Sequence, residues 1–472
     1  MTNGSRKWFY LGFGLYWTWV YLSFNSQQIT SQTLNGVALI PLLHILSGLT
    51  GCIAFVVAIC RFRRMTASPH RGTFLWMMAA LTAFGSLFYA LPLVQDPLMI
   101  LLVGALIPGF ASVWIVLGWG DVYSDLDVRD ATKLTAGSFL VSGVLYLLIA
   151  SIPQPFSGAI VIFLPVLSVF MLYLCDPSRF VQNDAATEPA KTSLAQELSS
   201  LFRETFSIKV ILGIFMTMFV CGGLRVYSSQ IEGTVYLEPL LVALPTAIVA
   251  LAFLAYSMLL KRTSLNLGPL YRIAMPLLAI ASVGLAVFGT DNAQTSFLVV
   301  SAGSALMDML TWVLLIEIAR SSHYPPLLVF AVGRCVIHLG MALGEMTALM
   351  LVGSMIPFFI AAVAVLVVVA GFLFTDRDMT YTVEPPTADE LPEALEPAED
   401  LDARIRMIAE RCELSPRETE VFLLWATGHG SKAIQEKLVV SPSTVKTHLR
   451  HIYEKCDVHS RADILELIEN AR

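Results

Sequence analysis

The side chains best suited to ligand recognition are concentrated near the C-terminus. Hydroxyls, cations and imidazoles follow one another there, at Ser443, Thr444, Lys446, Thr447, His448, Arg450 and His451. Cations neutralise phosphates, while hydroxyls, Lys and Arg can reach the edges of bases. Between them Val445, Leu449 and Ile452 recur at helical spacing and predict a buried face. The pattern therefore predicts a helix that reads the major groove of double-stranded DNA.

Short helices are expected to hold this segment. A capping box, Ser415-Pro416-Arg417-Glu418, has proline at the first helical position and predicts a helix through Thr427. A second helix is expected at about 431–438, a third from Ser441 to about Cys456, and a fourth from Ser460. Two short helices, a tight turn and a longer third helix are the helix-turn-helix arrangement.

These residues resemble the DNA-binding domain of the LuxR/GerE family over about residues 412–472. The resemblance implies that Thr444, Val445 and Lys446 open the recognition helix onto DNA and that Lys455 contacts its backbone. It also implies that the fourth helix pairs two protomers on a two-fold site. The matching positions are Leu414, Ser415, Arg417, Glu418, Val421, Gly428, Lys432, Ile434, Leu438, Ser441, Thr444, Val445, Lys446, His448, Ile452, Lys455, Val458, Arg461 and Ala462. The expected DNA-binding residues are Lys432, Ser443, Thr444, Val445, Lys446, Thr447, His448, Arg450, His451 and Lys455.

Two residues depart from the family pattern. Gln435 stands where the family usually has a small alanine, and Val439 stands where it usually has glycine in the turn. A β-branched residue in a left-handed conformation is strained, so the turn is expected to be remodelled and the affinity for an operator to be modest. The alternative is a degenerate domain that serves as a protein-interaction module.

The rest of the chain has the composition of a membrane protein. Hydrophobic residues make up 56% of the sequence and charged residues 14%, against about 25% charged in soluble proteins. The mean hydropathy is +0.70. A spanning helix needs about 20 mainly apolar residues. Twelve such segments are predicted, at approximately 8–25, 36–60, 73–93, 96–119, 133–152, 157–175, 208–225, 236–260, 269–290, 294–318, 325–345 and 349–374.

The charges of the connecting loops predict the topology. Every second loop carries basic residues, namely Arg61, Arg63, Arg64, Arg71, Arg129, Lys133, Arg179, Lys191, Arg203, Lys209, Lys261, Arg262, Arg272 and Arg320. The alternate loops hold essentially Arg225 alone. By the positive-inside rule, both termini are expected in the cytoplasm, in the inner membrane of a bacterial cell.

The predicted architecture is all-α, a polytopic membrane bundle followed by a four-helix helix-turn-helix domain. Its parts are a twelve-helix membrane domain at 1–375, an acidic proline-rich linker at 376–403 and a DNA-binding domain at 404–472. The twelve segments divide six and six around a polar stretch that ends in an amphipathic helix, SLAQELSSLFRETF. This arrangement resembles the major facilitator superfamily of transporters. The loop RFRRMTASPHRG has the arginines of that family's signature but lacks its Gly and Asp.

Ionisable residues inside the predicted bundle are candidates for a ligand site, because they are costly in lipid and tend to face cavities. The candidates are Asp308, Arg334 and His338, with Trp114 as an aromatic wall. The resemblance to transporters implies that the first, fourth, seventh and tenth segments line a central cavity, which would contain Asp308. The alternatives are a structural Asp308–Arg334 pair, a packing role for His338 and interfacial anchoring for the tryptophans.

The leading hypothesis is a one-component transcriptional regulator in the lipid bilayer that senses an unknown small molecule. It would act on DNA as a homodimer formed through the C-terminal helix. The alternatives are a major-facilitator-like transporter with a regulatory tail and a receptor that signals through a partner protein. The seven cysteines show no metal-ligand spacing, so neither a metal nor a cofactor is expected. No nucleophile elbow or phosphate loop supports an enzyme.

Overall fold

The computed structural model divides into two compact units, Met1–Tyr381 and Thr382–Arg472. The residues that it describes are 6–30, 33–34, 37–66, 68, 70–94, 96–177, 194–229, 238–259, 264–266, 268–288, 293–322, 324–351, 354–373, 380–382, 398–426, 434, 437–438 and 442–456.

Helices dominate the described part of the first unit. They are α1 (Arg6–Asn25), α2 (Leu39–Thr66), α3 (Arg71–Ala90), α4 (Pro97–Tyr123), α5 (Val128–Ala150), α6 (Phe156–Cys175), α7 (Leu194–Glu204), α8 (Ile208–Ser229), α9 (Glu238–Leu259), α10 (Gly268–Phe288), α11 (Ala293–Ser321), α12 (Pro326–Met350) and α13 (Ile356–Val368), which continues as a π-helical turn over Val369–Leu373. Four short strands form two sheets, with β1 (Thr33–Leu34) antiparallel to β2 (Val37–Ala38) and β3 (Ser264–Asn266) paired with β4 (Thr380–Thr382).

Ten of the described helices are long and apolar enough to cross a membrane. The apolar stretch of α10, Ile273–Val287, is shorter. In α1, tryptophan, tyrosine and hydroxyl side chains lower the hydropathy below that of the ten. Large apolar side chains such as Leu148, Ile248 and Ile280 are more than half exposed on the bundle surface. Such a surface suits lipid and would be a liability in water, so the bundle is a membrane domain.

Each of the twelve predicted segments overlaps one of the twelve long helices described, and the all-α membrane prediction is confirmed. The narrow gap before the fourth segment is a helix start, because Asp96 accepts a hydrogen bond from the Leu98 N–H at 3.0 Å. Several boundaries differ by a few residues, and the largest difference is at the start of the last segment. The last segment begins at Ile356, not at 349, with Pro357 in the first turn, where its missing N–H costs nothing.

The two halves of the bundle meet mainly along two helix pairs, α2 with α12 and α5 with α9. Within the second half, α8 and α12 approach closely at two glycines. A Cβ at Gly344 would lie 1.9 Å from the Phe219 carbonyl oxygen, and one at Gly222 would lie 2.3 Å from the Met341 carbonyl oxygen. Small residues of this kind allow the backbones of membrane helices to touch.

The amphipathic helix predicted between the halves is present as α7. Leu201 on this helix is fully buried against the bundle, as is Phe206 just after it, while Phe202 is 43% exposed. An ion pair between Arg63 and Glu197 links the end of α2 to α7. Helix α7 therefore packs on the bundle by its apolar side.

The second unit has its own small core. Its described helices are α14 (Ala398–Arg411), α15 (Pro416–Ala426) and α16 (Pro442–Lys455). Helix α14 overlaps the last six residues of the predicted linker, so the predicted linker is too long at its C-terminal end. The missed signal is the helical spacing of Ile405, Ile408 and Ala409, which are buried against α15 and α16.

Candidate functional site

The capping box predicted at the start of α15 is confirmed. The Ser415 N–H donates to Glu418 Oε2 at 2.8 Å, and the Glu418 N–H donates to Ser415 Oγ at 3.4 Å. These bonds satisfy two N–H groups that a helix start leaves without partners. They define where α15 begins and so help to orient the helices that follow.

The buried side of α16 carries the residues that the spacing predicted. Val445 and Ile452 are fully buried, and Leu449 packs partly against the same core. Val445 was also among the expected DNA contacts, but its side chain has no exposed surface. Its place in the core fixes the rotation of α16, which determines the side chains that face outward.

The opposite side of α16 is polar. Thr447 is exposed, whereas Thr444 and His448 are half-buried, and the buried Nδ1 of His448 has no hydrogen-bond partner. Four expected DNA contacts and both departures from the family pattern lie outside the described residues, or have side chains that do. The contacts are Lys432, Ser443, Lys446 and Arg450, and the departures are Gln435 and Val439.

Lys455 has an internal role that the sequence did not reveal. Its Nζ donates to Glu418 Oε2 at 2.8 Å and to the Glu413 carbonyl oxygen at 3.0 Å. His451 Nδ1 lies 3.4 Å from Glu418 Oε1. The Lys455 ammonium and the N–H and hydroxyl of Ser415 hold the pKa of the Glu418 carboxyl down at about 2, although burial opposes this. Two of the expected DNA contacts thus surround one carboxylate.

Two further bonds start from α15, and one of them reaches the recognition helix. Trp425 Nε1 on α15 donates to the Tyr453 hydroxyl on α16 at 3.0 Å. Arg417 Nη2 donates to the Leu438 carbonyl oxygen at 2.7 Å, where the second predicted helix would end. Ile434 of that predicted helix is fully buried in the same core. Helix α16 is therefore anchored along its length, as a helix that presents side chains to a groove must be.

The membrane unit contains a cavity of about 70 Å³ among its helices. It is lined by Tyr16, Trp17, Trp19, Val20, Tyr21, Phe24, His44, Ser47, Gly48, Gly109, Ser112, Arg225, Asp308, Arg334, Ile337, His338 and Met341. A second cavity of about 70 Å³ shares Tyr21, Arg225, Asp308 and Met341 with it. Helices from both halves form the walls, including α1, α4, α8 and α11, which correspond to the first, fourth, seventh and tenth predicted segments.

Three of the four candidate ligand residues, Asp308, Arg334 and His338, line this cavity. No ion pair joins Asp308 to Arg334 among the described side chains. His338 Nδ1 donates to the Arg334 carbonyl oxygen one turn earlier, at 2.9 Å. Trp114 is not a cavity residue, because its ring packs edge-on against Phe74, 5.1 Å between centroids, in the contact of α4 with α3.

A chain of three ionisable side chains borders the cavity. Glu345 is fully buried and accepts a 2.7 Å hydrogen bond from His44 Nδ1. The other nitrogen, His44 Nε2, lies 3.2 Å from Arg225 Nη1 and accepts from it. Arg225 also donates to Asn25 Oδ1. Arg225 was expected in an outer loop, and this was wrong, because it lies inside the bundle on α8. Among the described residues, no group of three His, Cys, Asp or Glu could hold a metal ion.

Comparison with known proteins identifies the C-terminal part. Residues 413–468 match the family described as "Bacterial regulatory proteins, luxR family" (GerE). Over 53 residues, the chain is 47% identical to the oxygen regulatory protein NreC of Staphylococcus haemolyticus and 45% identical to that of Staphylococcus carnosus. These matches cover 11% of this chain and 24% of each relative. The likeness therefore concerns the helix-turn-helix domain alone.

The membrane part is similar in fold to a solved transporter. The crystal structure of the human organic anion transporter MFSD10 (TETRAN) superposes with a TM-score of 0.55 at 12% sequence identity. The match covers 79% of this chain and 100% of the transporter chain. The chain thus combines a helical membrane domain that has the fold of major facilitator transporters with a luxR-family helix-turn-helix DNA-binding domain at residues 413–468.

Proposed function

We propose that the protein is a membrane-embedded one-component transcriptional regulator. It would sense a small molecule through its membrane bundle and bind an operator through its C-terminal helix-turn-helix. The observation that carries the proposal is the joining, in one chain, of a luxR-family domain to a membrane bundle with a cavity lined by charged side chains. A domain that reads DNA gains little from a membrane anchor unless the anchor supplies information.

The charges of the loops support a cytoplasmic position for both termini. The match to a family of bacterial regulatory proteins supports the inner membrane of a bacterium. Because Arg225 lies inside the bundle, the basic residue assigned to the external loops does not belong to them, and the charge difference between the two sets of loops is larger. We infer that the domain acts as a homodimer on a two-fold operator, since dimers of helix-turn-helix domains read half-sites one helical turn apart.

Regulation would follow from two states of the bundle. A ligand shifts such an equilibrium only as far as its affinities for the two states differ, and a hundredfold difference supplies about 2.7 kcal/mol. The helix pairs α2–α12 and α5–α9, where the two halves meet, are the contacts that such a change would repack. The state of the bundle would then alter the pairing or the availability of the DNA-binding domains.

The proposal is tested with the full-length protein in lipid nanodiscs and a library of fragments from its own genome. We expect repeated selection to enrich a few fragments that share a two-fold sequence, and deletion of the gene to change transcription beside them. A matched control is the same protein with Lys446→Ala and Arg450→Ala, which should enrich no fragment. Equal binding of enriched and random DNA, together with unchanged transcription on deletion, would refute the proposal.

A second candidate is a transporter whose tail is regulatory. The fold shared with a solved organic anion transporter and the central position of the cavity favour it. Accumulation of a compound in proteoliposomes, abolished by Asp308→Asn and preserved in a chain truncated after residue 381, would support transport. A compound that changes operator binding without crossing the membrane would support the regulator.

A further inference from the structure

The charges around the cavity divide into two sets. Arg225 and Glu345 compensate each other through His44, which donates from Nδ1 to the carboxylate and accepts at Nε2 from the guanidinium. Asn25 and the Phe24 carbonyl oxygen accept further N–H groups of Arg225. Each charged side chain of this set therefore has a partner in the protein, although Glu345 Oε1 has no hydrogen-bond partner of its own. Arg334 and Asp308 have no ionic partner among the residues that the structure describes.

Arg334 on α12 is a buried cation with missing partners. It is 5% exposed, and its Nε and Nη1 have no hydrogen-bond partner. Its guanidinium carbon lies 5.7 Å from the centre of the Trp17 ring, a cation–π contact that offsets part of the lost hydration. A buried charge normally has an ionic partner, and a planar guanidinium suits a carboxylate.

Asp308 on α11 faces the same cavity from another helix. The hydrogen bond that the structure shows for this residue is accepted by its backbone oxygen, from Thr311 Oγ1 at 3.2 Å. Among the described side chains, none forms an ion pair with its carboxylate. One cavity thus presents an unpaired cation and an unpaired anion that do not meet each other.

The remaining walls are mainly apolar, with the imidazole of His338 and single polar atoms of other side chains. Trp17 Nε1 and the Tyr21 hydroxyl are buried without partners, and Phe24, Ile337 and Met341 contribute apolar surface. The 70 Å³ is the space open to the centres of water-sized spheres, and it is enough for roughly five water molecules. Since a water molecule in the liquid occupies about 30 Å³, five of them take up about as much volume as an amino acid.

We propose that this cavity binds a small zwitterion with an apolar body, of the size and chemistry of an aliphatic amino acid. The carboxylate of the ligand pairs with Arg334 and its ammonium group pairs with Asp308, which neutralises both residues at once. A ligand that carries a single charge leaves one of the two residues uncompensated. The inference rests on the proposed ligand-responsive function and specifies the ligand class for it.

The test uses the full chain in lipid nanodiscs and isothermal titration calorimetry with two matched series of probes. The first series is leucine, 4-methylpentanoate, which lacks the amine, and 3-methylbutylamine, which lacks the carboxylate. The second is phenylalanine, 3-phenylpropanoate and phenethylamine. We expect at least one amino acid to bind roughly tenfold or more tightly than both of its analogues, the loss expected for one charged hydrogen-bonded contact.

Two variants test which residue binds each charged group of the ligand. Arg334→Gln should remove the preference for leucine over the amine, and Asp308→Asn should remove the preference for leucine over the acid. Glu317→Gln is the control, because this buried carboxylate lies on the same helix as Asp308 but pairs with Arg320 outside the cavity. It should bind all six probes as the wild type does.

Two results would overturn the assignment, and both come from the wild-type protein, so they do not depend on the folding of a variant. One is binding of an acid or an amine as tightly as the amino acid, and the other is the absence of binding by all six probes. The same nanodiscs are tested for operator selection. If they select an operator but fail the binding test, the zwitterion is wrong while the regulator stands. If they bind a zwitterion but select no DNA, the regulator is wrong.

Discussion

Lys455, the last residue of α16, donates to the carboxylate of Glu418 in the first turn of α15, with 2.8 Å between Nζ and Oε2. The same oxygen accepts the Ser415 N–H that closes the capping box, also at 2.8 Å. One carboxylate therefore both starts α15 and holds the end of the recognition helix. Since Glu418 is 5% exposed, it needs both partners to remain charged where it is.

This arrangement predicts acid sensitivity of the C-terminal unit. The pKa of Glu418 is lowered from 4.5 to about 2 in the folded protein. Its stabilising effect is therefore complete above about pH 4.5 and is lost as the pH falls towards 2. Because Lys455 is 40% exposed and solvent screens the pair, we expect a loss of about 1–2 kcal/mol. Hydrogen exchange of α15 and α16 in the full-length protein, followed between pH 5 and pH 2.5, measures it.

In the Glu418→Gln variant, the amides of α15 and α16 should already be less protected from hydrogen exchange at pH 5. Their protection should change little on further acidification. Glu420→Gln is the control, since Glu420 pairs with Arg417 on the exposed surface, where ion pairs contribute little. Equal acid sensitivity in the Glu418→Gln variant and the wild type would contradict the assignment.

Lys446→Ala should weaken DNA binding and reduce its dependence on salt. If Lys446 neutralises a phosphate, the slope of log K against log salt concentration falls by about 1. Fluorescence anisotropy with the selected operator, between 50 and 300 mM salt, measures both quantities. Arg406→Ala, which removes an exposed cation from α14, should leave the slope unchanged. An unchanged affinity across the whole series would exclude Lys446 from the interface.

Local patterns in the C-terminal part predicted local structure correctly. The capping box at Ser415–Glu418 and the core spacing of Val445 and Ile452 both depend on residues within two turns of each other. The bond from Lys455 to Glu418 joins residues 37 apart, and no periodicity encodes it. Helix α14 was missed because the acidic, proline-rich composition before it concealed the spacing of its apolar residues.

In the membrane part, composition predicted the spans but not the contacts between them. Apolar length is a property of each helix alone, whereas the chain from Glu345 through His44 to Arg225 joins three helices. Arg225 was assigned to a loop because a charge near the end of an apolar run usually lies there. The position of Asp308 in the cavity agrees with what the resemblance to transporters implied, but its lack of an ionic partner is visible only in the structure.

Arg334→Met should raise the thermal stability of the ligand-free protein. Replacing an uncompensated buried charge with an apolar side chain of similar length removes a desolvation penalty, and such changes stabilise by about 1–4 kcal/mol. Loss of the cation–π contact with Trp17 offsets part of the gain. The apparent melting temperature in nanodiscs, measured without ligand, should rise by a few degrees, and ligand binding should be lost.

Arg225→Met is the matched comparison on the other side of the cavity. It removes the donors to Asn25 and His44 and leaves the buried Glu345 without a counter-charge, so the melting temperature should fall. A fall in both variants would mean that Arg334 is a structural cation with partners of its own.

Gly344→Ala should destabilise the bundle, because the contact between α8 and α12 has no space for a methyl group. The added Cβ would lie 1.9 Å from the Phe219 carbonyl oxygen, which belongs to the backbone and cannot rotate away. The helices must separate, and overpacking of this kind costs about 1–3 kcal/mol.

Gly371→Ala provides the control for Gly344→Ala, since nothing lies within 4 Å of a Cβ at that position. The melting temperature of the first variant should fall by several degrees while the second stays within one or two degrees of the wild type. Equal melting temperatures for the two variants would show that α8 and α12 do not approach at Gly344, and because α12 carries Arg334, they would also count against the walls of the cavity as described.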